Sequence, residues 1–172
     1  MLSIIDDPTS PVRFLILDCP TESTLGYYIE QFINLNVQAV ARCCPPTYNS
    51  SRLEEHNIDV VDLPFKDGGV PSPTLVRDWN LLIAKVEQNA LNHPTSSINK
   101  ATIAVHCVAG LGRAPVLVAI ALIEAGMDPL DSIENIRSKR RGAFNKPQIA
   151  YLVRSYKKIP FSCPLSPLPV IK

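Results

Sequence analysis

A cysteine at position 107 and an arginine at position 113 bracket Val108, Ala109, Gly110, Leu111 and Gly112. This pattern can build a cradle for an oxyanion. Gly110 and Gly112 permit unusual backbone angles, so the amides of residues 108–113 can point at one anion. A helix opening near Gly112-Arg113 adds the partial positive charge of its N-terminus. Arg113 offers a planar fork for two phosphate oxygens. The same field favours a thiolate at Cys107, and a thiolate beside a bound phosphate ester can attack phosphorus in line. A buried structural cysteine at a strand end is the plainer alternative. The apolar run Ala101–Val105 before the loop and the helix after it are what favour the chemistry. No GxxxxGK[ST] motif is present, which excludes a Walker-type loop.

A departing oxygen needs a proton from a second loop. Asp67, in Pro64-Phe65-Lys66-Asp67-Gly68-Gly69, is the best candidate, and Gly68-Gly69 would let that loop close. The same residues also suit a simple turn. Asp62 is the rival acid, but its place at a strand end suits a structural role. His106 reads either as a support for the loop and thiolate or as a buried histidine bonded to backbone.

These residues need a scaffold, and the chain alternates strands with helices. Strands are expected over 12–18, 37–44, 58–63 and 101–105, the last buried on both faces. Helices are expected over 23–36, with Thr21 or Ser23 as cap, and from Ser72-Pro73 to about His93. Others run from Gly112-Arg113 to Gly126, from Asp128-Pro129 to about Arg140, and from Asn145 through Tyr156. The fold class is α/β, with a small central sheet flanked by helices. The domain is placed at 11–158, between an N-terminal extension (1–10) and a Pro-rich tail (159–172).

At 172 residues, 46% hydrophobic and 19% charged, the chain is globular rather than disordered. Its net charge of +1 argues against a nucleic-acid binder but hides an asymmetry. Residues 1–136 carry 8 basic and 16 acidic side chains, whereas residues 137–172 carry 9 basic and none acidic. The basic cluster (Lys139-Arg140-Arg141, Lys146, Arg154, Lys157-Lys158) suits an anionic membrane surface or a solvated helical face. The longest apolar stretch, Ala114 to Ile123, is half the ~20 residues a membrane-spanning helix needs. The first ten residues do not read as a signal peptide. Cysteines stand at 19, 43, 44, 107 and 163, an odd count without a CxxC pair. Neither a disulfide framework nor a metal site is expected, and a reducing cytoplasmic setting is. Adjacent strand residues face opposite sides, so only one of Cys43 and Cys44 should face the loop. Both also fit as small buried hydrophobes. Cys19 reads as a free core or loop thiol, and Cys163 as a weak candidate for acylation.

His106 to Pro115, HCVAGLGRAP, resembles the active-site loop of the PRL (phosphatase of regenerating liver) phosphatases, in the dual-specificity branch of the Cys-based protein tyrosine phosphatases. APVLVAIALIEAGM, KRRGAFN and PF-x-DG extend the resemblance over roughly residues 11–158. It implies a tyrosine-phosphatase fold with a mostly parallel sheet and hydrolysis of phosphomonoesters through a phosphocysteine, without a cofactor. Cys107 becomes the nucleophile, Arg113 the phosphate binder, Asp67 the acid and His106 a supporting residue. Ala114 stands where most relatives at large carry Ser or Thr, which implies slow turnover. Cys44 matches the family cysteine that forms a reversible disulfide with the nucleophile, a pairing that protects a reactive thiolate from over-oxidation. Implied substrates are phosphotyrosine proteins, other phosphoproteins or phosphoinositides. The alternative is a redox- and phosphorylation-switched module that binds CBS-pair domains of cyclin M magnesium-transport mediators.

Three departures stand out. Leu63 replaces the family Trp before Pro-Phe, and Lys66 replaces a second Asp beside the acid. The chain ends Pro169-Val170-Ile171-Lys172, so no prenylation box is expected on this sequence.

Overall fold

The computed structural model describes residues 1–94 and 99–158. The strands are β1 (Leu2–Ile5), β2 (Val12–Leu17), β3 (Val37–Arg42), β4 (Asp59–Asp62) and β5 (Ala101–His106). They form one sheet in the order β1-β2-β5-β3-β4. Only the β1–β2 pair is antiparallel. β5 is therefore central, and every one of its residues is buried. The helices are α1 (Leu25–Asn34), α2 (Ser51–Glu54), α3 (Pro73–Asn92), α4 (Arg113–Glu124), α5 (Pro129–Lys139) and α6 (Lys146–Ala150), followed by a π-helical turn, Tyr151–Ser155.

Strand periodicity divides the core in two. Phe14, Ile16, Ala39, Ala41, Ile103 and Val105 face one side, with Trp79 of α3, most of α4, and Ile136 of α5. Leu15, Leu17, Val40 and Ala104 face the other, with Leu25 and Phe32 of α1 and Leu53 of α2. The central strands are apolar on both faces because both faces are covered. α4 is buried from Arg113 through Ile123, and Trp79 Nε1 donates to its Leu117 carbonyl at 2.7 Å. A wholly apolar helix behind the loop gives Arg113 a fixed base.

Three helix starts follow their local chemistry. Ser72 caps α3 ahead of Pro73, and Asp128 caps α5 ahead of Pro129. Asn145 forms a reciprocal capping box with Gln148 on α6. Other expectations need correction. Reading residues 1–10 as an extension misses β1, an edge strand of the sheet. α1 begins after Thr24, because the Thr21, Ser23 and Thr24 hydroxyls bond one another instead of capping. β3 ends at Arg42, although Cys43 N–H still donates to His106 O at 2.9 Å. The last helix changes from α to π winding at Tyr151, where the Tyr156 N–H reaches the Tyr151 carbonyl at 2.7 Å and the Tyr156 hydroxyl bonds Glu124. Residues 159–172, the Pro-rich tail with Cys163, lie outside the described residues.

Candidate active site

The loop from Cys107 to Gly112 leaves the C-terminal end of β5 and enters α4, where no side chain caps the helix. Its carbonyls have partners on the outside. The Cys107 carbonyl lies 3.3 Å from His106 Nδ1. The Val108 carbonyl accepts from Cys19 N–H at 3.0 Å, and the Leu111 carbonyl from Phe144 N–H at 2.7 Å. Arg140 serves the two between, with Nη2 donating to Ala109 O at 3.0 Å and Nε to Gly110 O at 2.6 Å. A trans peptide points its N–H opposite its C=O. Five consecutive carbonyls held outward therefore aim the amides of residues 108–112 into the loop. Gly110 is needed there for two reasons. Its φ is +69°, and an added Cβ would lie 2.5 Å from Arg140 Nη2 and 2.9 Å from the Leu17 carbonyl.

Arg113 lies beneath this cradle with 6% of its side chain exposed. Its Nη1 donates to Cys43 O at 3.2 Å and Phe65 O at 3.3 Å. Its buried Nε has no hydrogen-bond partner among the described residues. A buried guanidinium N–H without a partner is costly, and an oxyanion in the loop would satisfy it. Asp67 stands at the rim, 87% exposed, with Oδ1 3.7 Å from Arg113 Nε. Cys107 and Ala114 are both buried, at the two ends of the loop. Asp62, the rival acid, is held by Arg42 through bonds of 2.6 and 3.0 Å, which ties it to the sheet edge.

His106 lies under the loop with Nε2 2.7 Å from the Tyr48 hydroxyl. Burial pushes its pKa down to about 4, against a weaker upward pull from its backbone bond, so the ring is neutral at physiological pH. Cys43 shares the apolar cluster of Cys107, and burial holds its thiol well above the usual range. Cys44 is on the opposite face, with Sγ 3.9 Å from both Cys19 Sγ and His106 Nδ1. Burial pushes the Cys44 thiol up to about 11. The four cysteines among the described residues are all free thiols.

Three supporting residues escape a reading of the sequence. Arg140 belongs by pattern to a basic surface cluster, yet it is 2% exposed. Besides the loop carbonyls it reaches Asp18 Oδ1 at 2.5 Å and Ser3 Oγ at 3.2 Å. Asn145, readable as a cap, and Gln148 also hold the Asp67 loop: Asn145 Nδ2 donates to Gly68 O at 3.0 Å and Gln148 Nε2 to Gly69 O at 3.1 Å. The Asn145 cap is legible in the sequence; the part Gln148 plays and the reach of both side chains to residues 68 and 69 are not.

Comparison with known proteins agrees with this geometry. The protein-tyrosine phosphatase family matches residues 61–155. Mouse protein tyrosine phosphatase type IVA 3 is 49% identical over 82% of this chain and 77% of its own. The PRL-1 phosphatase of Drosophila melanogaster is 46% identical over 82% and 76%. Among solved structures, a protein tyrosine phosphatase from Leishmania major superposes with a TM-score of 0.79 at 40% identity, covering 91% of this chain and 99% of that one. The chain therefore belongs to the type IVA, or PRL, family of protein tyrosine phosphatases.

Proposed function

We propose that Cys107 is the nucleophile of this phosphatase and that the residues around it divide the reaction as follows. The outward-held carbonyls of residues 107–111 carry the reading, because they leave inward amides to bind three phosphoryl oxygens. Arg113 adds its unpartnered Nε, and Cys107 Sγ attacks phosphorus from the loop floor. Asp67 protonates the leaving oxygen from the exposed rim, and water then cleaves the phosphocysteine. Ala114 offers no hydroxyl to assist that second step, so the phosphoenzyme is long-lived. The substrate class is a phosphoprotein or a phosphoinositide, and phosphotyrosine is the phosphoprotein ester we favour.

A carboxylate-bearing partner, such as the CBS-pair domain of a magnesium-transport mediator, would enter the same cradle. Lys139, Arg141, Lys146, Arg154, Lys157 and Lys158 are exposed and support contact with an anionic membrane surface from the cytoplasm.

Intact mass under reducing conditions, during turnover of an aryl phosphate, tests the mechanism. The expected result is a phosphoryl adduct, absent in Cys107→Ser, with a burst followed by slow phosphate release. Steady release from Cys107→Ser would refute it. Ala114→Ser is expected to shorten the life of the adduct.

A further inference from the structure

Cys19 and Cys44 come from different strand ends but are pinned to one segment. Cys19 N–H donates to the Val108 carbonyl at 3.0 Å, and Cys43 N–H, one residue before Cys44, donates to the His106 carbonyl at 2.9 Å. The two sulfurs are consequently in van der Waals contact at 3.9 Å. A disulfide needs about 2.05 Å, so side-chain rotation has about 1.9 Å to close. Cys19 is half-buried and Cys44 buried, which gives one thiol access to solvent and its partner none.

We propose that Cys19 and Cys44 form a reversible disulfide that competes with Cys107 for Cys44. The oxidant is a peroxide. The Cys19 sulfur attacks one peroxide oxygen, the O–O bond breaks, and a sulfenic acid and water result. The Cys44 sulfur then attacks the Cys19 sulfur. The S–O bond breaks and the hydroxyl leaves with the Cys44 proton as a second water. Two electrons pass from the thiol pair to peroxide, and a small thiol reverses the reaction. Cys107 keeps its thiol throughout. Where a Cys44–Cys107 bond has already formed, Cys19 can attack Cys44 Sγ, form the new bond and release the Cys107 thiolate. The Cys19–Cys44 bond rests on geometry alone; its effect on activity rests on Cys107 as nucleophile and on the Cys44–Cys107 pairing implied by the family.

The test treats the full chain with limiting hydrogen peroxide in the presence of a chelator, alkylates free thiols and maps linked peptides without reduction. Turnover of p-nitrophenyl phosphate is followed in parallel. The expected result is a dominant Cys19–Cys44 link with most activity retained. In Cys19→Ser, matched to wild type in thermal melting and reduced turnover, a Cys44–Cys107 link should replace it. Inactivation should become about fivefold faster and reverse with dithiothreitol. Finding only Cys44–Cys107 in the wild type, or no linked peptide at any dose, would overturn the proposal. So would equal inactivation rates in wild type and Cys19→Ser. A Cys19–Cys44 link in the wild type without any Cys44–Cys107 link in the variant would sustain the bond and refute the family-derived pairing.

Discussion

The phosphate loop and the acid loop face each other across Arg113 and are held very differently. Carbonyls 107–111 each have an outside partner, and the loop continues into a helix buried along almost its whole length. The acid loop meets α6 through two carbonyls, Gly68 and Gly69, and leaves Asp67 87% exposed. One half is fixed before substrate arrives, and the other is tied down only at Phe65, Gly68 and Gly69. Damage to the first should therefore cost stability as well as turnover. Loss of the exposed Asp67 carboxyl from the second should cost turnover alone.

Asp67→Asn offers the sharpest separation. Turnover of an alkyl phosphate should fall about 10³-fold, within the usual range for a lost general acid. Turnover of a substrate with a good leaving group should fall far less, and the thermal midpoint should stay put. A large loss of stability would break the distinction between the loops. Arg140→Gln tests the opposite half. It strands the Ala109 and Gly110 carbonyls, so unfolding free energy should drop by about 3 kcal/mol, with the half-exposed Asp18 still paired to the N-terminal ammonium. Turnover should drop with it, while Arg141→Gln, on the exposed neighbour, should leave stability unchanged.

His106 adds a pH signature to the fixed half. Its folded pKa of about 4 lies below the 6.5 of an unperturbed ring. Between those values the unfolded chain binds more protons, so stability rises with pH across this window. It is fully present above pH 6.5 and is lost as pH falls toward 4. The loss is on the order of 3 kcal/mol, and denaturant titrations of His106→Gln should flatten it. The smallest effect is expected for Gln148→Ala. Removing one side of the capping box and the bond to Gly69 should cost about 1 kcal/mol. A raised KM with little change in midpoint would instead show that Gln148 mainly positions the acid loop.

The two regions also differed in how far they could be read. Cys107 through Arg113 is contiguous, and its glycines, flanking strand and following helix declare the cradle within one short window. The caps Ser72, Asp128 and Asn145 were equally local. Arg140 was not, because Lys139 and Arg141 on either side are exposed and the triplet reads as surface charge. Its burial depends on leaving α5 at φ −133° and meeting Gly110 and Asp18, 30 and 122 residues away. The approach of Cys19 to Cys44 is hidden for the same reason, since it depends on two strands reaching one loop. Asp67 stays open between a turn and an acid in the sequence, because its approach to Arg113 is a contact between two separate loops.

The outward carbonyls have a thermodynamic consequence as well. They exist together only in the folded chain, so an unfolded molecule has no cradle to offer. Any tetrahedral oxyanion that occupies the loop must then act as a folding ligand. At a concentration of 100 times its Kd it would add about 2.7 kcal/mol to the folded state. A melting curve in rising phosphate or tungstate would thus weigh the cradle without asking the enzyme to turn over.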